Sequence, residues 1–414
     1  YLQNRFEDAL ERYARAERRA ASDQRRWEVS YRAALCLKHL GRHTEAMNRL
    51  EKALAGDGGG QLRARAYLDA AEVAGVLGDD AKRVSFLEEH VRAAGTEGDE
   101  GMVAAKKLVR AYLDSAQPDK ARELADRLVR GAGDDDHEPR ALLAMAMYRQ
   151  GRTGEAKKVA DDVASRAGAD APSVREIGIE AARYHYDKQD FGAAVAAIKP
   201  FAENCTGEGV CEQARYLYAM SLLAAKDLQR GSSVAQGFFR EYPVSAKGPM
   251  LHLRMGNVLA EAGRTNESLL HYDEAAETAT DSTIAFMSLK NLAVAQQRLK
   301  RWRDAERSWQ RVLTRFNSNE FTSEAALNVA RCKMEYGNYE GAIAAYGEVL
   351  PSLDSESKAW AFYWMGQSYE QVGNVQAAVV EYLKVPYLAG AGGMLIPTAQ
   401  LKAAECYAKI DRPN

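Results

Sequence analysis

Two cysteines in a glycine-containing stretch are the residues whose spacing points most directly to chemistry. Cys205 and Cys211 flank the sequence CTGEGVC, close enough in the chain for a disulfide to close a small loop. Three interpretations stay open: two independent thiols, a disulfide, or two ligands of a metal site. A disulfide would indicate an oxidising compartment such as a bacterial periplasm. A metal site needs further ligands, and no histidine lies nearby in the sequence.

The other chemistry-bearing residues form no catalytic or cofactor motif. The seven histidines include no HExxH pair, and His185, in the sequence RYHYD, is expected to pack in the core. The glycine runs at 56–60 and 390–393 lack the Lys-Ser/Thr of a phosphate-binding loop, and GxSxG is absent. The acidic run at 134–136 is interpreted as a solvated loop. The sequence therefore predicts no enzyme, no cofactor and no bound metal.

The composition is that of a folded, helical protein without an obvious charged ligand. Of 414 residues, 46% are hydrophobic and 28% charged, and only 10 are proline. The formal net charge of −2 lacks the basic excess expected of a nucleic-acid-binding protein. No apolar run reaches the length of a membrane span. The chain begins at Tyr1 rather than Met, so the sequence is silent on any targeting segment.

Small residues recur with a nearly constant period along the chain. One set, here called the B anchors, has members 35 to 38 residues apart: Ala9, Ala46, Arg83, Ala121, Ala156, Ala194, Gly231, Ser268, Ala305, Ala342 and Ala378. A second set, the A anchors, lies twelve residues before each of the last ten: Ala34, Ala71, Val109, Ala144, Ala182, Ala219, Gly256, Ala293, Ala330 and Gly366. The turn between the two anchors often carries glycine. This pattern predicts a repeated unit of helix A, turn, helix B and loop.

The small anchors have a packing explanation. Where two helices cross at a short distance, only Gly, Ala or Ser fits between the backbones. Three cysteines, Cys36, Cys332 and Cys406, fall two residues after the small position of helix A and are expected to be buried as small hydrophobic side chains.

The arrangement resembles the tetratricopeptide repeat, with large apolar, small and aromatic residues at fixed positions. The seventh unit shows it in Met255, Gly256 and Tyr272, and the tenth in Met365, Gly366 and Tyr382. The resemblance implies an all-α fold, a right-handed α-solenoid (superhelix) of about ten helix pairs with a half repeat at each end. We expect one solenoid over residues 1–414, most degenerate at 60–95, where Arg83 and Ala74 depart from the pattern.

The half repeats are predicted to lie at residues 1–20, as a lone helix B, and 398–410, as a lone helix A ending near Asp411. Leu401, Cys406 and Tyr407 would then occupy core positions with nothing after them to cover them. We therefore expect further repeats or another subunit to contact the ends of the array.

A solenoid of this type presents a concave surface lined by its A helices. Positions −3, +1 and +4 from the A anchor are expected to face it. The Arg, Tyr and Met side chains among them are types enriched in protein interfaces. The predicted partner-binding residues are Lys106, Arg110, Met145, Tyr148, Arg183, Tyr186, Tyr216, Met220, Asn257, Lys290 and Arg331. The alternative is an ordinary exposed helix face, with the interface on the convex side or the loops.

The predicted function is a scaffold or adaptor that holds an extended or helical segment of a partner protein. The junctions at Tyr242–Pro243 and Phe316–Ser318 resemble those of bacterial cell-envelope tetratricopeptide repeat proteins, which implies an envelope complex in the periplasm. A cytoplasmic adaptor is the alternative compartment. Two other functions stay open: a structural subunit that stacks through its ends, and a polysaccharide-export factor in which Tyr148, Tyr186 and Tyr216 stack against sugars.

Overall fold

The computed structural model describes residues 2–56, 58–60, 62–203, 205, 207, 209–316, 319–388 and 395–410. Within these ranges every regular element is helical and no β-strand occurs, so the predicted all-α class is confirmed. The predicted glycine linker at 390–393, Ser318 and Asp411 lie outside the described residues.

The first eleven helices are α1 (Leu2–Arg18), α2 (Asp23–His39), α3 (His43–Ala55), α4 (Leu62–Val76), α5 (Asp80–Ala94), α6 (Gly98–Asp114), α7 (Pro118–Gly131), α8 (Glu138–Arg149), α9 (Thr153–Ala167), α10 (Pro172–Asp187) and α11 (Phe191–Glu203). The following eleven are α12 (Val210–Ala224), α13 (Leu228–Glu241), α14 (Gly248–Glu261), α15 (Thr265–Thr278), α16 (Ser282–Arg298), α17 (Trp302–Arg315), α18 (Asn319–Glu335), α19 (Tyr339–Val349), α20 (Ser355–Gln371), α21 (Val375–Lys384) and α22 (Leu395–Ile410). Single 3-10 turns follow α19 at Leu350–Ser352 and α21 at Val385–Tyr387.

The helices pack in two compact units, Tyr1–Leu217 and Tyr218–Asn414. Within each unit a helix packs mainly against the next helix along the chain and to a smaller extent against the second next. Even-numbered helices carry the A anchors and odd-numbered helices the B anchors, so the predicted helix pairs of an α-solenoid are confirmed inside each unit. One continuous solenoid over the whole chain stays a prediction.

The small anchors lie at helix crossings, as their size predicts. Ala34, Ala182 and Ala342 have no exposed surface. A Cβ atom added to Gly256 would lie 2.6 Å from Cε1 of Tyr272, and one added to Gly366 would lie 2.6 Å from Cε1 of Tyr382. Because real Cβ contacts are not this short, the aromatic ring of helix B requires glycine opposite it on helix A.

Each turn between helix A and helix B contains one residue in the left-handed region, seven residues after the A anchor. Glycine occupies it in six repeats, with φ between 72° and 91°: Gly41, Gly78, Gly151, Gly263, Gly337 and Gly373. In the other four the residue has a side chain, with φ between 56° and 61°: Ala116, Gln189, Lys226 and Lys300. The turn is therefore set by the geometry of the repeat and not by the presence of glycine.

Except at Gln117, which forms no side-chain cap, the residue after this turn begins helix B by one of two chemistries. Asp79, Asp227 and Asn338 accept a hydrogen bond from the backbone N–H three residues later. In four repeats an arginine occupies the position and pairs with an acid three residues on: Arg42 with Glu45, Arg152 with Glu155, Arg264 with Glu267, and Arg301 with Asp304. The arginine pairs place an acid in the first turn, and the Asp79 and Asp227 caps place one just before it, where the helix dipole favours negative charge. Asn338 is neutral and only satisfies a backbone donor.

Arg83 stands at a B anchor without breaking the fold. Its Cδ lies 3.5 Å from the position of a Cβ on Gly75, so the apolar stem packs where helix α4 has no side chain. Its guanidinium reaches Asp114 at 3.0 Å. A long side chain is tolerated here because only its stem enters the crossing.

The last described helix, α22, has both a buried and an exposed apolar face. Cys406 is fully buried, as predicted, whereas Leu401 is 60% and Tyr407 49% exposed. Cys36 and Cys332 are buried too. The predicted lone helices at the two ends of the array correspond to α1 and α22.

Candidate functional site

In the first unit the A helices α6, α8, α10 and α12 line a groove of about 220 Å³. Three of the predicted partner-binding residues, Arg110, Met145 and Arg183, line it together. Residues that the −3, +1 and +4 count missed also contribute: Arg83, Asp114, Arg149, Glu176, Glu180 and Gln213. We call this groove, together with the adjoining Lys106, Asp136 and Glu138, the first A-helix surface.

The charges of the first A-helix surface are linked from helix to helix. Lys106 on α6 donates to Asp136 at 2.7 Å and lies 3.1 Å from Glu138. Arg110 lies 3.1 Å from Glu138 on α8 and 2.9 Å from Glu176 on α10. Burial alone would lower the pKa of Arg110, but Glu176 and Glu138 raise it above its ordinary value. The guanidinium therefore stays charged and joins three successive A helices.

The acidic run at 134–136 is not simply solvated, as the sequence had suggested. Asp134 is 94% exposed, but Asp136 accepts the Lys106 hydrogen bond and is about one-third exposed. The sequence could not show this pairing because the two residues are 30 positions apart and meet only through the packing of α6 against the loop before α8.

A buried carboxylate lies deeper in the same groove. Glu180 on α10 is 3% exposed. Its carboxylate forms ion pairs with Arg183, at 2.9 Å, and with Arg149 of α8. An unpaired charge at this depth would cost several kcal/mol, on the order of 3–5 when one partner of a buried pair is removed. The two arginines therefore form part of the structure of the groove as well as its surface.

The predicted aromatic and methionine positions divide between surface and core. Tyr148 is 7% and Met220 9% exposed, so both contribute to the core and offer little surface to a partner. Tyr148 follows its anchor by four residues, only about 40° around the helix from the buried side. Tyr186 packs edge-on against Phe191, with ring centroids 5.4 Å apart. Tyr216 is partly buried, and burial, with a smaller effect of Tyr186, raises its pKa to about 12.

In the second unit the A helices α14, α16 and α18 bring three asparagines onto one face. Oδ1 of Asn257 accepts from Nδ2 of Asn291 at 2.9 Å and from the Tyr272 hydroxyl at 3.0 Å. Asn328 accepts from Gln297 at 3.2 Å and donates to the Glu324 carbonyl at 2.9 Å. We call this face, with Lys290, Arg331 and Trp364, the second A-helix surface.

The cationic side chains of the second A-helix surface are held by neighbouring groups. Nζ of Lys290 donates to Glu324 at 2.7 Å. The guanidinium of Arg331 lies 5.1 Å from the ring centroid of Trp364, and its Nε is 4.0 Å from Glu335. Trp364 in turn stacks on the 38% exposed Trp360, with centroids 5.3 Å apart. Asn257, Lys290 and Arg331 are thus all placed on this surface.

Asn291, Asn328 and Trp364 were not among the predicted residues, although a signal for them exists. Each lies two residues before an A anchor, at Ala293, Ala330 or Gly366. A count that included position −2 would have found all three.

The cysteine pair lies between α11 and α12. The Sγ atoms of Cys205 and Cys211 are placed as a disulfide, with Cα atoms 5.4 Å apart. Nη1 of Arg175 lies 3.6 Å from the sulfur of Cys205, and Arg215 donates to the Cys205 carbonyl at 2.7 Å. Both cysteines are buried, at 0% and 4% exposure. Their oxidation in the native protein stays a prediction.

The described residues hold no group of three or more His, Cys, Asp or Glu side chains that could bind a metal ion. His185 is partly buried rather than a core residue, with Nδ1 3.8 Å from Asp190. None of the described helices is both long and apolar enough to cross a lipid bilayer.

Comparison with known proteins identifies the repeat. The tetratricopeptide repeat family model matches residues 2–61 and 290–357. Among similar solved structures, the P58(IPK) TPR domain has 15% identity and a TM-score of 0.28, and the match covers 84% of this chain and 99% of that one. YrrB, titled a TPR protein with an unusual peptide-binding site, has 17% identity and a TM-score of 0.37, and the match covers 53% of this chain and 97% of that one. A tetratricopeptide repeat protein from Parabacteroides merdae has 10% identity and a TM-score of 0.37, and the match covers 66% of this chain and 100% of that one. No curated protein sequence matches significantly. Residues 2–61 and 290–357 are therefore similar to the tetratricopeptide repeat, and the helix pairs and anchors described above follow the same pattern.

Proposed function

We propose that this chain is a scaffold that holds a segment of a partner protein on its A-helix surfaces. Tetratricopeptide repeats form protein-interaction scaffolds, which is the general part of the proposal. The observation that carries the specific part is the row of Asn257, Asn291 and Asn328 on three successive A helices. An amide presents both a donor and an acceptor, the two groups of a peptide backbone.

The asparagine row is suited to an extended segment. Among the described residues Nδ2 of Asn257 and Oδ1 of Asn291 have no partner, so each offers a free hydrogen-bonding atom. Because A helices repeat along the array, these atoms can bind successive backbone groups of one extended chain. Affinity would come from the neighbouring Trp364 and Arg331, since aromatic and Arg side chains dominate binding energies.

The first A-helix surface would contribute specificity more than affinity. Its cations are already paired, as in the bridge from Arg110 to Glu138 and Glu176. A partner side chain must therefore replace an existing pair, which favours partners of matching charge pattern and penalises others.

A location in a bacterial envelope complex is part of the proposal. Support comes from the placement of Cys205 and Cys211 as a disulfide, since stable disulfides form in oxidising compartments. A cytoplasmic adaptor would keep both thiols reduced.

The test is capture of the tagged chain from native cells with lysine crosslinking and mass spectrometry. Lys290 is the reporter, because its side chain is 37% exposed on the second A-helix surface, whereas Lys106 is 13% exposed. We expect a stoichiometric protein crosslinked at Lys290 and lost on Asn291→Ala. Asn266→Ala, an exposed asparagine on α15, is the matched control. Crosslinks confined to other faces, or equal capture by both variants, would contradict the proposal.

A second candidate function is a structural subunit of a larger assembly, favoured by the exposed Leu401 and Tyr407 on α22. Sedimentation velocity should then show self-association that is reduced by Leu401→Glu. The glycan-binding alternative loses Tyr148 to the core. Loss of glycan binding on Tyr216→Ala would support this alternative, and no glycan binding by the parent chain would exclude it.

A further inference from the structure

A cavity of about 550 Å³ lies in the second unit at the connection between α13 and α14, beside the end of α15 and the start of α16. It is separate from both A-helix surfaces. Its lining includes an aromatic wall and two acids: Phe239, Tyr242, Pro243, His252, Glu274 and Asp281. We call it the α13 pocket.

The chain itself shows what fills the corresponding place one repeat later. There Arg315 of α17 reaches back to the end of α15, where Nη2 donates to the Ala279 carbonyl at 2.8 Å and Nη1 to the Ala276 carbonyl. Its guanidinium also lies 5.9 Å from the ring centroid of Phe316. A guanidinium thus closes the carbonyl end of that B helix.

The repeat period places the α13 pocket at the same position. The anchors Ser268 and Ala305 are 37 residues apart, so the residue equivalent to Arg315 is Thr278. Thr278 lines the α13 pocket, and its hydroxyl donates to the Glu274 carbonyl at 2.6 Å. The short side chain leaves the space open that Arg315 occupies one repeat later.

The carbonyl of Phe239, at the end of α13, is the acceptor for which a hydrogen-bond donor is needed. It is equivalent to Ala276, which accepts from Arg315. In a helix the Phe239 carbonyl would accept from the N–H of residue 243, but Pro243 has none. The negative end of the α13 dipole lies at the same place and favours a cation.

The charges around the pocket point to a cation as well. On α15, Asp273 and Glu277 are both held by Arg311. Glu274 and Asp281, which line the pocket, have no cationic partner among the described residues. Burial, and then the charge of His271, lowers the pKa of His252 to about 4, so this ring adds no positive charge at neutral pH.

We propose that the α13 pocket binds an arginine side chain of a partner protein. This arginine would lie at the carbonyl end of α13, as Arg315 lies at the carbonyl end of α15. A guanidinium fits better than an ammonium group because its planar fork can donate to a carbonyl and a carboxylate at once. The aromatic wall of Phe239 and Tyr242 adds cation–π attraction. This site goes beyond the proposed binding on the A-helix surfaces and does not depend on it.

The test is an NMR titration of the full chain with N-acetyl-arginine amide, with N-acetyl-citrulline amide as the neutral isostere. We expect saturable shifts confined to the pocket residues for the arginine probe and none for citrulline. Glu274→Gln with Asp281→Asn should weaken binding at least about threefold, since each exposed ion pair contributes a fraction of a kcal/mol. Asparagine retains the cap that Asp281 provides to the Ile284 N–H. Glu340→Gln with Glu348→Gln, an equal charge change on α19, should leave binding unchanged.

A second variant fills the pocket from within. Thr278→Arg copies Arg315 into the earlier repeat, so it should abolish probe binding and raise the melting temperature. Binding by Thr278→Arg as strong as that of the parent would overturn the proposal. So would equal binding of citrulline, or the absence of saturable shifts in the pocket. None of these outcomes depends on whether a partner segment binds the A-helix surfaces.

Discussion

Individual small side chains decide how closely the two helices of a repeat approach. Gly256 and Gly366 face the rings of Tyr272 and Tyr382, and Ala342 is fully buried at the equivalent crossing of α18 and α19. Because protein interiors are close-packed, an added side chain at such a point has no space to enter.

Ala342→Arg should therefore lower the free energy of unfolding by about 3 kcal/mol or more, through overpacking and burial of a charge. Ala344→Arg is the control, since Ala344 is exposed on the same helix. Urea denaturation monitored by circular dichroism measures both. A variant at 342 that is as stable as the control would contradict the assigned register.

The pair of His252 and His271 predicts a pH dependence. Their Nδ1 atoms are 3.0 Å apart, and the ring of His252 stacks on Phe239 at 3.6 Å. Burial, and then His271, lowers the pKa of His252 to about 4; burial also lowers the pKa of His271, against an opposing effect of Glu267. Between the lowered pKa of His252, about 4, and about 6.5, the unfolded state then binds more protons than the folded state.

Stability is thus fully present above about pH 6.5 and falls as the pH drops towards 4, by on the order of 1–3 kcal/mol. His252→Phe removes the group whose pKa is lowered to about 4 and retains an aromatic ring next to Phe239. Its free energy of unfolding should change less between pH 7 and pH 4 than that of the parent. Parallel pH profiles for the two proteins would show that this histidine pair is not responsible.

At the scale of elements, every turn from helix A to helix B requires one left-handed residue. Lys300 is the left-handed residue of its turn, with φ 57°, whereas glycine, Gly263, has this conformation in the preceding repeat. A side chain in this region costs about 1–2 kcal/mol, which glycine avoids.

Lys300→Gly should raise the free energy of unfolding by roughly 0.5–1 kcal/mol, the gain from relieved strain less the entropy of a more flexible unfolded chain. Ala344→Gly, in the exposed middle of α19, should instead destabilise by about 1 kcal/mol. Thermal denaturation distinguishes the two directions. A loss of stability in Lys300→Gly would mean that the Lys300 side chain itself contributes to packing.

The connection between α11 and α12 gives a chemical prediction. If Cys205 and Cys211 form a disulfide in the native protein, alkylation in denaturant without reductant should modify only Cys36, Cys332 and Cys406. Reduction beforehand should add two labels by mass spectrometry. Complete labelling of all five cysteines without reductant would exclude the disulfide and remove the support for an oxidising compartment.

For the whole molecule, the sequence predicted the positions of the helix pairs far better than the contacts and exposure of side chains on the A-helix surfaces. Anchors such as Ala182 and Ala305 depend on a local rule, the size that fits a helix crossing, so their spacing was enough. The pairing of Arg110 with Glu138 and Glu176 depends on which helices meet across a repeat, and charge type alone does not specify it. Tyr148 shows the same limit, because the side chain that was predicted to face a partner is buried in the core instead.

The period also predicts which deletions the array tolerates. Removing residues 268–304 deletes one whole period and joins Glu267 to Ala305 in the same helical register. The shortened chain should keep its helicity per residue and unfold cooperatively, because stability in a repeat array is nearly a sum over neighbouring units. Removing only 268–292 shifts the register and should lose helicity. Circular dichroism of both chains compares them directly, and equal helicity would argue against a fixed period.

Packing between near neighbours in the chain has a consequence for synthesis on the ribosome. The main contacts between the described helices join helices one or two positions apart in the chain, so a repeat can bury its own core as soon as the next has emerged. At translation rates of about 5–20 residues per second, one repeat leaves the ribosome roughly every 2–7 seconds. Helix pairs form much faster than this. The nascent chain can therefore fold from its first repeat onwards, with little more than the newest helix exposed to chaperones at any moment.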